Sequence, residues 1–148
     1  MIEQARADEQ ADVGPYASVQ STVEWVDTDA SGHQHNSAVV RWVEAAEASL
    51  VRQLGLSDYF PVAPRVKQVL NFHAKLWFGQ QITTTVWIKE LGRSSLTLGF
   101  EVDGGSCDQS PGGRAASGTV TSVHVPAGAE HSAPWPDRMR QALSKTSQ

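Results

Sequence analysis

Apolar and polar positions alternate from residue 18. Val19, Ser21, Val23 and Trp25 fall on one side of an extended segment, with Ser18, Gln20, Thr22 and Glu24 on the other. This period of two predicts a half-buried strand. The next stretch, DTDASGHQHNS, has no period, and its Gly, Asn and small polar residues predict a loop. From Ser37 to Leu54 the period lengthens: Val39, Val43, Ala46, Leu50 and Leu54 recur at spacings of 4, 3, 4 and 4, one face of an α-helix. Asn36 is placed to cap its first turn and Gly55 to end it at C′. Four segments of period two follow. Val66, Leu70, Phe72, Ala74, Leu76 and Phe78 share the first predicted face. Ile82, Thr84, Val86 and Ile88 share the second, Leu96, Leu98, Phe100 and Val102 the third, and Thr119, Thr121, Val123 and Val125 the fourth. Gly79-Gln80 and Leu91 to Ser94 are short enough for hairpin turns, and Gly104 to Gly113 is expected to be a longer, mobile loop. A short terminal helix is expected after Pro134 and Pro136.

This order, a strand, one long helix and a four-strand antiparallel meander, predicts an α+β domain with the helix on the apolar face of the sheet. Residues 1–15 are charged and aperiodic, the pattern of a disordered arm, which leaves a single domain at 16–143. The opposite face of the sheet carries Lys75, Trp77, Thr85 and Trp87. Tryptophan there implies a covering partner, so a homo-oligomer is expected.

Composition narrows the class. The chain has 148 residues, 40% of them hydrophobic, and 12 Lys and Arg against 16 Asp and Glu, a net charge of −4. That is enough apolar surface for a core, and no basic stripe is available for nucleic-acid phosphates. No apolar run approaches the roughly 20 residues of a membrane span, and the N-terminus lacks the apolar stretch of a signal peptide. One cysteine, Cys107, leaves no internal disulfide or Cys-rich metal cage. The expectation is a cytoplasmic protein without nucleic-acid or membrane partners.

The chemistry is concentrated before the helix, where Asp27, Asp29, His33, His35 and Asn36 fall within ten residues. A helix N-terminus presents unpaired N–H groups and a partial positive charge. A carboxylate beside it stays ionised and serves as base or nucleophile, while the N–H groups polarise a carbonyl. That combination suffices for acyl transfer to water. The same Asp residues also fit a simpler role as caps and turn formers. His33, His35 and Asp29 fall short of a structural zinc site, which needs four ligands and commonly cysteine, so no metal is expected. His73 and His124 are expected to be structural or solvated, and Cys107 has no adjacent base.

The run WVDTDASGHQHNSAVVRWVEAAEASLVRQLGL, then GQQI and LGRSSLTLGFEV, resembles the hotdog-fold thioesterases of the 4-hydroxybenzoyl-CoA thioesterase type, from about Val19 to Val125. The resemblance implies a five-stranded antiparallel sheet wrapped around one long central helix. It also implies dimers or tetramers with sites at subunit interfaces, and a substrate that is an acyl thioester of coenzyme A or of an acyl carrier protein. No separate cofactor is implied, since coenzyme A belongs to the substrate. In that family the carboxylate matching Asp29 attacks the thioester or activates water, and the backbone N–H matching Asn36 polarises its carbonyl. Residues matching Arg93, Ser94 and Ser95 approach coenzyme A, and the acyl slot is expected near Val39, Trp42 and Phe72. His33, in the same motif, is a further candidate catalytic residue. The chain departs from many relatives at Val39, where an aromatic residue is common, and at Glu47. On helical geometry Glu47 lies about 40° from Val43 and points into the apolar stripe. A second branch of the family uses a helix glutamate as its catalytic carboxylate, which makes Glu47 or Glu44 the alternative to Asp29. Two other activities fit a hotdog domain: a dehydratase or hydratase, and a module that binds acyl-CoA without turning it over.

Overall fold

A computed structural model describes residues 14–144. Strand β1 (Tyr16–Thr22) passes through one 3-10 turn (Trp25–Asp27) and a short loop into helix α1 (Ala38–Gln53). A second 3-10 turn (Phe60–Val62) precedes β2 (Arg65–Phe72), β3 (Gln81–Leu91), β4 (Ser95–Gly104), β5 (Gly113–Val123) and α2 (Asp137–Ser144). The five strands make one antiparallel sheet in the order β1-β3-β4-β5-β2. Helix α1 packs on β1 and β3. Val39, Val43, Ala46 and Leu50, the predicted stripe, are buried with Val86, Leu98, Phe100 and Val102 from the sheet. One apolar cluster runs from Ala17 to Leu143.

The helix ends where Gly55 predicts. Its φ of 68° lets Gly55 N–H reach Arg52 O and Leu56 N–H reach Val51 O, a Schellman closure that spares the last carbonyls from being unpaired. The start differs by one residue. Ser37, not Asn36, holds the N-cap position, and its hydroxyl shares a hydrogen bond with His35 Nδ1 (2.8 Å) instead of reaching a helix amide.

The meander is correct only for β3-β4-β5. Strand β2 stands beside β5 at the far end, so residues 73–80 form a crossover and Gly79-Gln80 is not a hairpin turn. The predicted face from Val66 to Phe78 breaks at Phe72, because His73 and Ala74 N–H both turn to one acceptor, Ala115 O. Val66, Val69 and Phe72 are exposed on this edge strand. The phase of β5 is also inverted. Leu98 pairs with Val120 and Leu96 with Ser122, so Val120, Ser122 and His124 turn inward while Thr119, Thr121 and Val123 do not. Cross-strand partners set the register where the strand's own alternation is weak. The expected loop at 104–113 is tighter than its glycines suggest, closing through paired Cys107 and Ser110 backbones. Trp77 and Trp87 are half-buried; the exposed tryptophan is Trp25. Of the predicted arm, residues 1–13 lie outside the described residues, whereas Gly14 and Pro15 are buried and Pro15 O accepts from Ile88 N–H.

Candidate active site

Two aspartates two residues apart have opposite surroundings. Asp27 is 3% exposed. It accepts from Glu24 N–H (2.8 Å) and from Arg41 Nη2 (2.6 Å), one full helical turn into α1. Its backbone carbonyl also accepts from His35 N–H (2.6 Å). Asp27 therefore ties the entry and exit of the loop to the helix. Asp29 projects outward from a small hairpin in which Thr28 pairs with Gln34 and Asp29 N–H meets His33 O. Gly32, at φ 89°, closes the turn.

The hairpin is pinned from beneath. Gln34 is buried and exchanges two hydrogen bonds with Leu76, backbone to backbone and Oε1 to N–H, each at 2.8 Å. His33 sits edge-on to Trp77 (5.9 Å between centroids), and its Nδ1 is buried without a partner. His35 is engaged by Ser37. The Asp29 carboxylate accepts from the Ser31 hydroxyl and from Ser31 N–H (2.8 Å). Those bonds, the hydroxyl foremost, hold its pKa below the ordinary value, and His33 and His35 add a weaker pull. Asp29 is an ionised, accessible carboxylate on a braced loop. Asn36 is exposed, and its N–H has no acceptor among the described residues, an unpaired donor one residue ahead of the N-cap.

The other expected site residues lie elsewhere. Val39 is sealed in the core, and Trp42 edges a shallow cavity of about 200 Å³ with Asp27 and Arg41. Phe72 is exposed on the β2 edge, away from both. Glu47 is buried as its helical phase predicts, with Arg65 Nη2 donating to Oε1 at 2.8 Å. It stands about 14 Å along the axis from the start of α1. Glu44 is exposed.

Arg93, Ser94 and Ser95 form the β3–β4 turn, at the opposite end of the sheet. The Asp29 loop follows Thr22, which pairs with Gln81 at the first residue of β3; Arg93 follows Leu91 at the last. Eleven residues of strand put about 30 Å between the two ends. One chain therefore does not bring Asp29 and Arg93 together. The turn is braced by residues that the sequence pattern did not single out. Trp135 N–H donates to Arg93 O and its indole to Ser95 O, while Arg140 donates to Gly92 O and Arg93 O. His124 N–H meets Ser94 O, and its ring packs on Trp135. The only signal for this brace was the aromatic residue between Pro134 and Pro136.

Comparison with known proteins fits this geometry. Solved structures of similar fold include the predicted thioesterase of Bacillus stearothermophilus (TM-score 0.77, 21% identity, covering 90% of this chain and 97% of that one). A 1,4-dihydroxy-2-naphthoyl-CoA thioesterase from Synechocystis aligns at TM-score 0.76 and 16% identity, covering 86% and 95%. A 4-hydroxybenzoyl-CoA thioesterase, solved as an Asp-to-Asn mutant with 4-hydroxybenzoyl-CoA, aligns at 0.72 and 17%, covering 88% and 100%. No curated protein sequence matches. The thioesterase-like superfamily model matches residues 23–143, most of the chain, so the chain belongs to the thioesterase-like superfamily.

Proposed function

We propose that the protein hydrolyses acyl thioesters of coenzyme A, with Asp29 as the catalytic carboxylate and the Asn36 N–H as carbonyl donor. The observation that carries this reading is the contrast between the two aspartates: Asp27 is consumed by structure, whereas Asp29 is held ionised and accessible on the braced loop that leads to the unpaired Asn36 N–H. Membership of the thioesterase-like superfamily and the coenzyme A thioester bound to a structural neighbour support it.

With the thioester oxygen on the Asn36 amide, its carbon becomes electrophilic. In the general-base route Asp29 takes a proton from water as the water oxygen bonds to that carbon. The tetrahedral oxyanion is stabilised by the amide, a term that reaches ~3–4 kcal/mol for a single donor. Its collapse breaks the C–S bond, and the thiolate takes the proton from Asp29. In the nucleophilic route Asp29 oxygen itself displaces the thiolate, giving a mixed anhydride that water then opens. Label found in Asp29 after single-turnover hydrolysis in ¹⁸O-water identifies the second route, because it enters the side chain only when water opens an anhydride at the aspartyl carbon.

The acyl group and coenzyme A need more cover than one chain supplies at Asp29. A second copy of the chain, contributing its Arg93–Ser95 turn to the phosphates, meets that need and makes the enzyme a dimer or tetramer of shared sites; Arg93 is the cation suited to phosphate. Acyl carrier protein is an alternative thioester carrier, and a cytoplasmic location fits these substrates. Asp29→Asn is expected to lower thiol release from acyl-CoA by two orders of magnitude or more with unchanged thermal melting. Turnover near that of the wild type would overturn the assignment. Thioester binding without thiol release by the wild type would instead mark a binding module, and water addition to an enoyl thioester a hydratase.

A further inference from the structure

A cavity of about 300 Å³ opens beside the second half of α1, lined by Glu44, Glu47, Phe60, Ala63, Arg65 and Ser122. Glu44 is exposed, whereas Glu47 is buried and polar atoms around it are incompletely used. Glu47, 2% exposed, takes one Arg65 nitrogen. The other, Arg65 Nη1, is buried without a hydrogen-bond partner, and so is the hydroxyl of Tyr59, a side chain 1% exposed. Burial and the nearby Glu47 carboxylate raise the pKa of that phenol, so it remains protonated; its weak side-chain interactions run to Ser122 and Glu47, both of which line the cavity, and the Arg65 charge is nearby. A buried ion pair contributes little to stability, and unpaired donors beside it detract further. This set of groups is therefore better explained as a receptor than as a structural support.

The charge balance selects the occupant. Glu44 and Glu47 outnumber Arg65, so a third carboxylate would be repelled. An ammonium group has no acceptor for Arg65 Nη1 and would face its charge. A neutral oxygen satisfies both: it accepts from Arg65 and exchanges a hydrogen bond with Tyr59. The direction of approach follows from the helix. Val40, Glu44 and Glu47 lie on one stripe, and one turn further back that stripe reaches Asn36. Eleven residues separate Asn36 from Glu47, three turns plus about 20°, and about 16 Å along the axis.

We propose that this cavity binds a neutral hydroxyl or keto oxygen near the far end of a long acyl chain that runs along α1 from the thioester at Asn36. The assignment rests on the thioesterase reading above and specifies its substrate class. Calorimetric titration with thioether analogues of ω-hydroxylauroyl-CoA, lauroyl-CoA and dodecanedioyl-CoA tests it without requiring turnover. The hydroxyl analogue is expected to bind at least tenfold more tightly than the other two, the span of one hydrogen bond to a charged group. Tyr59→Phe keeps the ring on Trp135, and Arg65→Lys keeps the charge opposite Glu47; each should bring that ratio towards one. Equal affinities in the wild type, as expected if the cavity holds only water, would overturn the proposal, as would a preference that survives both substitutions. Failure of the hydrolase reading would show separately, as absence of thiol release from thioesters of every length.

Discussion

At the scale of single residues, the decisive contrast is between two carboxylates of the same motif. Asp27 is buried against Arg41, and removing one partner of such a pair leaves an uncompensated charge. Because Arg41 is half exposed, Arg41→Met is expected to cost about 1–3 kcal/mol in urea denaturation, with little effect on the chemistry itself. Asp29 is the opposite case. Its pKa is lowered chiefly by the Ser31 hydroxyl, so hydrolysis should persist as pH falls below the ordinary carboxylate range and fail only when Asp29 is protonated. Ser31→Ala removes the largest contribution and should move the acidic limb of the kcat/KM profile to higher pH. An unmoved limb would mean that another group governs it. Residue types and spacing pointed to both aspartates, and only the family resemblance singled out Asp29. The physical reason for that ranking, Arg41 reaching back fourteen residues to Asp27, is a contact that a linear pattern does not contain. Glu47 was legible because helical phase alone buries it, whereas its partner Arg65 comes from another element.

At the scale of elements, legibility followed the strength of alternation. Helix α1 and strands β3 and β4 have strong apolar periods, and their predicted faces are the buried ones. Strand β5 contains Ala115, Ala116, Ser117, Gly118 and Thr119 in sequence, residues that fit either face, so Leu96 and Leu98 on the neighbouring strand decide its phase. The terminal helix was legible, at Asp137–Ser144, but the bracing role of the C-terminal segment was not: that contribution is a set of hydrogen bonds to backbone carbonyls, which no side-chain period announces. That segment bears on function through the β3–β4 turn. Arg140→Met removes the Nη2 that donates to both Gly92 O and Arg93 O while leaving the buried Trp135 in place. If the turn contacts coenzyme A, looser turn geometry should raise KM for acyl-CoA several-fold and leave kcat unchanged, the signature of lost uniform binding. An equal fall in kcat would place the turn nearer the chemistry than proposed.

At the scale of the whole molecule, the sheet holds the two expected halves of the site apart. The Asp29 loop leaves one end of β3 and the Arg93 turn the other, about 30 Å away along the strand, and no side chain closes such a gap. A two-fold dimer can, because an isologous interface brings different parts of two identical chains into contact twice. The exposed edge of β2, with Val66, Val69 and Phe72 uncovered, offers the unpaired backbone that such an association uses. Mixing variants tests this arrangement. Asp29→Asn and Arg93→Ala homodimers should each be impaired, the first in turnover and the second in acyl-CoA affinity. After the two are unfolded together and refolded as an equal mixture, half of the dimers are mixed, and each contains one site with both residues intact. Activity at low acyl-CoA should then return to about a quarter of the wild-type value. If Asp29 and Arg93 served the same site from one chain, every site in every dimer would carry one lesion, and the mixture would show only the mean of the two parents.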